Sequence, residues 1–220
     1  MRKIRGSVFL SLDGIMQAPG GPTEDWTGGF DLGGWVWPYF DEAGGQAIDS
    51  LFGGAYDLLL GRKTYDIFAS YWPYVTGEAA AMGEAFSRAG KYVLTQGSAP
   101  LDWENSHRLT DIGAVEMLKQ SDGPDLIIQG SSTIYPALLR AGLLDWLQLM
   151  TFPVVLGGGK KLFGDGTPPA SMKLVDHKVT PSGVVIATYE PAGGVQIDNP
   201  LQQGPSEREQ ARQERMKREG

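Results

Sequence analysis

An α/β fold closed by an antiparallel hairpin is what this 220-residue sequence predicts. Three observations carry that reading. Short apolar runs of strand character recur at Tyr56 to Leu60, Lys91 to Thr95 and Leu126 to Ile128. Each gives way to a turn rich in Gly, Ser or Thr, with helix-compatible sequence further on. Near the end, two strand-like pieces, Met172 to Val179 and Val184 to Tyr189, flank the turn Pro181-Ser182-Gly183 and read as a hairpin.

Taken in order, residues 4–12 alternate well enough to form a first strand, and Ser11-Leu12-Asp13-Gly14 is a turn signal at its end. The stretch from Gln17 to Gly45 is dense in glycine, contains Pro19, Pro22 and Pro38, and carries Trp26, Phe30, Trp35, Trp37, Tyr39 and Phe40. Disordered segments are poor in aromatics, so this loop (17–45) is expected to be ordered. It reads either as a lid over a ligand or as a surface packed on a neighbouring subunit. A helix is expected from about Tyr39 to Phe52, carrying Asp41, Glu42 and Asp49 and weakened by Gly44-Gly45. After the strand ending at Leu60, Gly61-Arg62-Lys63-Thr64-Tyr65 combines a glycine, two cations and a helix-starting threonine, a corner suited to an anion. Glu78 to Ala89 reads as helix, Pro100 to Thr110 as loop and Ala114 to Lys119 as a short helix.

The most informative unit runs from Asp125 to Phe163. Its strand is broken by Gln129-Gly130-Ser131, Ser132 is placed to cap a helix, and Ile134, Leu138 and Ala141 come after it at helical spacing. Pro136 falls in the first turn, where a missing N–H costs little, and Gly142 is placed to end the helix in a left-handed conformation. A strand-to-helix turn of small residues leaves free N–H groups where a phosphate can rest, although many such turns bind nothing. The dinucleotide pattern G-x-G-x-x-G is absent, and Gly157-Gly158-Gly159-Lys160-Lys161 lacks the spacing of a P-loop. Beyond Pro191 the chain turns polar, and residues 191–220 read as a flexible or marginally helical tail behind a domain spanning 1–190.

Composition narrows the function. With 41% hydrophobic and 20% charged residues the chain can bury one sizeable core, and a net charge of −7 argues against nucleic acid or an anionic membrane as partner. No apolar run approaches a membrane span. The absence of cysteine excludes thiol chemistry and Cys-containing zinc sites, and is consistent with a cytoplasmic protein. The two histidines, His107 and His177, stand in polar surroundings, so a histidine metal site or a Ser-His-Asp triad is not expected, nor any metal.

Ser11-Leu12-Asp13-Gly14, Gly61-Arg62-Lys63-Thr64-Tyr65, Gln129-Gly130-Ser131 and Pro153-Val154-Val155-Leu156-Gly157 occur in the order of motifs in the dihydrofolate reductase superfamily. Over about residues 2–190 the chain resembles the bacterial branch related to the C-terminal reductase domain of riboflavin biosynthesis. The resemblance implies a dihydrofolate-reductase-like three-layer fold, with a mostly parallel, twisted sheet ending in an antiparallel strand or hairpin and NADPH across the strand ends. Carried over by residue, it implies that Arg62 contacts the adenosine 2′-phosphate and that Lys63 and Thr64, next to Gly61, meet phosphates. Leu94, Thr95 and Gln96 would line the adenosine. Gln129, Gly130, Ser131, Ser132 and Thr133 would form the pyrophosphate turn, and Gly14, Ile15 and Met16 would border the nicotinamide. Ile15 and Gln129 stand where riboflavin-type reductases carry Lys and Glu.

The activity that the resemblance implies is that of an NADPH-dependent reductase. It would pass a hydride to a small heterocycle (pterin-like or ribosylaminopyrimidine-like, as in riboflavin biosynthesis) or to a carbonyl. Asp41 and Glu42 are the candidate proton handlers, with Asp49 behind them, and exposed helix charge is their plainer reading. The alternative is an NADP(H)-binding sensor or assembly protein without turnover. The expected partner is a small-molecule substrate, and a homodimer is expected from the resemblance and the aromatic loop.

Overall fold

The computed structural model describes residues 1–198 and 204–219. Strand β1 (Ile4–Ser11) lies inside an eight-stranded sheet whose other members are β2 (Tyr56–Gly61), β3 (Lys91–Leu94), β4 (Ser106–Leu109), β5 (Asp125–Gln129), β6 (Trp146–Phe152), β7 (Met172–Val179) and β8 (Val185–Pro191). The order is β4-β3-β2-β5-β1-β6-β8-β7. The six strands from β4 to β6 are parallel, while β8 pairs antiparallel with β6 and β7 antiparallel with β8. The expected α/β sheet with its closing hairpin is therefore present.

Helices cover both faces because parallel strands need crossovers. Side chains of β1 alternate between the two faces. Ile4 and Val8 join Leu59, Leu126, Ile128 and Leu147 beneath α4 (Ile112–Gln120) and α5 (Tyr135–Ala141). Opposite, Phe9 packs with Met150, Phe152 and Ile186 against Ile48 of α1 (Glu42–Phe52). Further along that face Leu58, Leu60 and Val93 meet Tyr65 of α2 (Arg62–Tyr71) and Phe86 of α3 (Ala80–Arg88). Phe86 is fully buried, with the rings of Phe52, Phe68 and Trp72 at 5.0, 5.8 and 4.8 Å.

The sheet's N-terminal rim is stitched by charge. Buried Arg2 pairs with Asp57, which also accepts from Gly90 N, and buried Lys119 pairs with Asp145, which accepts from Ile4 N. Burial alone works to raise the Asp145 carboxyl, but the Lys119 ammonium and the Ile4 N–H outweigh it and hold it below its ordinary range. The opposite rim, where the parallel strands end, carries the Gly/Ser/Thr turns at 11–14, 61–65 and 129–133.

Three local expectations are corrected. Pro100 to Thr110 is not all loop, since Ser106–Leu109 forms β4. This is a short polar edge strand whose only buried residue is Leu109, so it lacks an apolar run. The helix after the long loop begins at Glu42, not Tyr39, because Trp37–Tyr39 with Pro38 forms a separate 3₁₀ turn and Asp41 is extended as the N-cap. Ser132 does not cap α5: residues 131–134 form a turn, with Ile134 N donating to Ser131 O, and the helix starts at Tyr135. Gly142 does end α5, at φ 65°. In the polar C-terminal segment Glu207–Glu219 forms helix α6 with no buried residue, and the tail expectation for 199–203 and 220 lies outside the described residues.

The aromatic loop folds onto its own sheet. Trp35, Phe30 and Val36 are buried, the Trp35 ring meets Phe152 edge-on at 5.5 Å, and its indole N–H donates to Gln17 O at 2.9 Å. Trp26 and Trp37 stay exposed, at 64% and 60%. The loop doubles back so tightly that a Cβ on Gly33 would lie 2.3 Å from the Gly21 carbonyl oxygen and 2.7 Å from Pro22 Cα. Gly33→Ala is therefore expected to destabilise the protein by about 1–3 kcal/mol, as overpacking does. Urea unfolding reads the loss, and near-UV circular dichroism should show Trp35 loosened. Phe86→Ala, which empties the aromatic cluster under α2 and α3, should cost about 3–5 kcal/mol in the same measurement.

Candidate functional site

Strand β5 is where the winding direction changes. The chain passes from β1 over β5 to β2 and on to β3, whereas from β5 it returns over β1 to β6. Ligands of open parallel sheets sit beyond the strand ends at such a switch. β5 stops at Gln129, in register with Ser7, while β1 continues to Ser11. That length difference opens a notch between β1 and β2, and the turn 130–133 sits in it.

The two anion-suited corners meet at this notch. Ser131 Oγ accepts from Gly61 N at 2.9 Å, and Ser131 N donates to Thr64 Oγ1 at 3.1 Å. Gly130 and Ser131 hold φ values of 80° and 59°, and glycine tolerates that region where other residues are strained. Helix α2 has no side-chain cap at Gly61, so its first-turn N–H groups open toward the notch beside Arg62 and Lys63. Thr133 Oγ1 lies 3.6 Å from where a Gly61 Cβ would stand. Gly61, Thr64, Gly130, Ser131 and Thr133 thus converge from two chain segments, and this donor-rich, cation-flanked set fits a phosphate group. Leu94 pairs with Gly61 in register, Thr95 comes directly after it, and Gln96 is exposed.

Other expected contacts are arranged differently. Arg62 does not project freely: Nε meets both Asp66 oxygens at 2.9 and 3.0 Å, and Nη1 donates to the carbonyls of Ala99 and Pro100 at 2.8 and 3.0 Å. Asp66 stands one helical turn along, so the pair is a local i,i+4 contact. Ile15 and Met16 turn their side chains into the core, at 1% and 8% exposure, leaving backbone and Gly14 at the rim. They also pair with the segment after the triple glycine. Ile15 bridges Lys161, Met16 N donates to Lys160 O, and Leu162 N donates to Gly14 O.

The carboxylates expected to handle a proton have other partners. Asp41 Oδ1 caps α1 by accepting from Gly44 N at 3.0 Å, and Oδ2 accepts from Ser182 N and Oγ at 3.1 and 2.8 Å. The Gly44 bond above all, then those from Ser182, hold its carboxyl far below the usual carboxylate range, so it joins loop to hairpin as a fixed anion. Glu42 is exposed and accepts from Gln46, and Asp49 is exposed.

The charged centre that the sequence did not reveal lies in the long loop. Asp25, with a side chain only 8% exposed, contacts Lys63 Nζ at 3.0 Å and Lys160 Nζ at 2.5 Å. Both ammonium groups also donate to Thr27 Oγ1, at 2.7 and 2.8 Å. Gln17 secures the cluster by donating to the Asp25 and Thr27 carbonyls and accepting from Lys160 N at 3.0 Å. Burial works to raise the Asp25 carboxyl, but the bonds from Lys160, Thr27 and Lys63 prevail and hold it well below its ordinary value. Burial pushes the Lys160 amine down against the pull of Asp25, and the Lys63 ammonium adds to the push. A groove of about 430 Å³ opens beside this cluster, lined by Gln17, Thr27, Phe30, Leu156, Gly158 and Lys160 among others. A second, of about 450 Å³, runs along α2 past Arg62, Tyr65, Tyr74 and Trp103. The signal for the first was a lone Thr-Glu-Asp run in an apolar loop and a lysine pair after three glycines.

A row of polar side chains crosses the sheet below the notch. Gln129, Ser7, Gln148 and Thr188 are in register across β5, β1, β6 and β8, on the face that carries α1. Ser7, Gln148 and Thr188 are buried, and Ser7 Oγ reaches Gln148 Oε1 only at 3.4 Å. Gln129 Oε1 is buried with no donor among the described residues. Such an orphan acceptor carries a desolvation cost that a bound donor would remove.

A mostly parallel sheet with a hairpin edge and a phosphate-suited notch at its switch point defines the class of open, doubly wound α/β proteins. Within it, this chain belongs to the RibD C-terminal domain family, whose model matches residues 2–186. The uncharacterized protein YyaP of Bacillus subtilis (strain 168) is 29% identical over 138 residues, 60% of this chain and 72% of that protein. A solved structure from Shewanella sp. PV-4, provisionally assigned to riboflavin biosynthesis, superposes with a TM-score of 0.64 at 20% identity, covering 87% of this chain and 99% of that one. Dihydrofolate reductase from Enterococcus faecalis, complexed with NADP(H) and RAB-propyl, gives a TM-score of 0.53 at 13% identity over 86% and 96% of the two chains. These likenesses establish the dihydrofolate-reductase-like fold.

The turn that closes β1 makes a pH prediction. Ser11 Oγ donates to Asp13 Oδ1 at 2.6 Å, and Asp13 also accepts from Leu156 N and Gly157 N at 3.1 and 2.8 Å. Ser11 first, then these backbone N–H groups, pull its carboxyl down from 3.8 to about 2. A depressed folded-state value means stability that is present above about pH 4 and lost as pH falls toward 2. Chemical unfolding of Asp13→Asn should show a flatter acid limb than wild type across that window. Asp41→Ala should lower the melting temperature, whereas Asp41→Asn, which keeps a capping oxygen, should lower it less.

Proposed function

We propose that this protein is an NADPH-dependent reductase that passes a hydride to a small polar heterocycle, pterin-like or ribosylaminopyrimidine-like, or to a carbonyl. The observation that carries the reading is the cross-link between Ser131, Gly61 and Thr64. It joins two separate anion-suited segments into one donor-rich cradle at the sheet's switch point. The presence of NADP(H) in the Enterococcus dihydrofolate reductase of the same fold supports the choice of cofactor. The Shewanella structure's assignment supports a riboflavin-type substrate.

When bound, NADPH supplies the hydride. The chain's part is to hold phosphates with the N–H groups around Gly61 and Gly130, aided by Thr64, Ser131, Ser132 and Thr133, with Arg62 contributing charge and Lys63 tying the start of α2 to Asp25 of the long loop. Leu94, Thr95 and Gln96 would flank the adenosine, and the backbone at Gly14, Ile15 and Met16 would border the nicotinamide. The folded aromatic loop excludes water on the α1 side. The polar row, with an unpaired acceptor at Gln129, favours a substrate ring that brings N–H donors.

A second reading, an NADP(H)-binding protein without turnover, is favoured by one observation: Asp41 is fixed as a cap and Glu42 is exposed. Substrate-dependent NADPH oxidation separates the two. In the reductase reading, Asp41→Asn and Glu42→Gln should turn over within a few-fold of wild type, the proton coming from water or another group.

The cofactor itself is tested by following tryptophan fluorescence while adding NADPH and, separately, NADH. Saturable quenching by NADPH, with weaker binding of NADH, is expected. Ser131→Ala should weaken NADPH binding about tenfold, the loss of about one hydrogen bond. Arg62→Ala should narrow the difference between the two nucleotides. Absence of binding by either nucleotide would remove the reading.

A further inference from the structure

Strand β7 closes one end of the sheet, and its outer edge has no partner among the described residues. All of its residues except Met172 are exposed. Leu174, Val175 and Val179 stand at 47%, 41% and 63%, and Val185, the register partner of Val179, adds another 41%. An edge of this kind, with free N–H and C=O groups beside apolar side chains, is a template for a further strand. The other end of the sheet differs. There β4 is half as long, four residues against eight, and its one apolar residue, Leu109, is buried.

Charge decides which strand fits. Lys173, Asp176 and Lys178 of β7 join no ion pair among the described residues. Asp176 and Lys178 share a face, opposite Thr188 and Ile186 of β8. Pairing β7 antiparallel with a second β7 about a two-fold axis at His177 sets Asp176 against the partner's Lys178, and Lys178 against the partner's Asp176. It also brings Val175 beside the partner's Val179. Directly opposed Cβ atoms in such a pair lie about 4.5–5.5 Å apart, close enough for both ion pairs to form. Neighbouring registers lose the match. A half-step either way sets a charge against a valine, Lys178 on Val175 or Asp176 on Val179. A full step toward the N-terminus sets Asp176 against its own copy, and a half-step more sets Lys173 against Lys178. The bulge between Leu174 and Asp176 breaks the ladder at one end, and buried Thr180, whose N–H donates to Val184 O, ends the open edge at the other. The matched segment is therefore short, bounded and self-complementary, as a closed two-fold interface requires.

We propose that β7 is an interaction surface for a second copy of this chain, the two strands pairing antiparallel about His177 so that the two sheets become one. The two opposed Asp176–Lys178 pairs set the register, and the valines supply apolar contact. In the strand order β6 and β8 separate β7 from β1, so the contact leaves the notch between β1 and β2 open. It holds independently of the reductase reading.

Sedimentation of the full chain across a concentration series should show a dimer. Its dissociation constant should rise about tenfold in Asp176→Lys and in Lys178→Asp, since each change sets two like-charge pairs face to face. Mixing the two variants should restore a heterodimer to within about threefold of wild type, because one copy then offers only lysines at these positions and the other only aspartates. A merely structural role for either side chain gives no such rescue. Near-UV circular dichroism checks that both variants are folded. The chain has no cysteine, so His177→Cys places a single thiol per copy, on the axis. Opposed Cα atoms in an antiparallel pair lie about 4.5–5.5 Å apart, within disulfide range. Mild oxidation should join His177→Cys into a covalent dimer and leave His107→Cys, on exposed β4 at the other end of the sheet, as single chains. A wild type that stays monomeric throughout the series overturns the proposal. So does a dimer that tolerates both charge reversals, a mixture that fails to re-form it, or cross-linking of His107→Cys as readily as His177→Cys.

Discussion

The pleat of β1 is the constraint on which the rest of the molecule depends. Its alternate side chains enter different cores, Ile4 and Val8 under α4 and α5, Phe9 toward α1 and the aromatic loop. A slip of one residue would exchange Val8 and Ser7 and turn a polar group into the core under α4 and α5. Charge at the other rim guards against this, because Asp145 accepts from Ile4 N while pairing with Lys119, and Arg2 is held by Asp57. A stable lower rim leaves the upper one free to carry turns and positive φ angles.

Those turns are held by small polar side chains acting between segments. Ser11 and Asp13 bind the end of β1 to the loop after β6, and Ser131 and Thr64 bind the end of β5 to the start of α2. Each bond satisfies a backbone N–H at a strand or helix end, where the regular ladder cannot.

The long loop is the part of the chain that departs most from simple rules. Buried Trp35 and Phe30 give it a core, and Asp25 gives it an electrostatic anchor reaching both α2 and the segment after β6. Burying a carboxylate is unfavourable unless its partners repay the lost hydration. Here two lysines and a threonine do so, and one of the two lysines, Lys160, also lines the groove.

Much of this was legible in the sequence, for reasons that are local. Apolar runs, turn residues at 61, 130 and 142, and the hairpin signal at Pro181-Ser182-Gly183 report backbone preferences acting over a few residues, and the sheet arises from them. The motifs likewise marked the anion-suited corners. Only the tertiary structure decided that Gly61 and Ser131 touch across 70 positions, that Arg62 turns to Asp66 and the 99–100 carbonyls, and that Asp41 serves as a cap tied to Ser182. It alone brought Asp25, Lys63 and Lys160 together from three distant segments. β4 escaped notice because a polar edge strand is defined by its neighbour's hydrogen bonds rather than by its own pattern. Propensity is a property of neighbours in sequence, whereas charge pairing and side-chain reach are properties of neighbours in space, and a chain reveals the second only once it has folded.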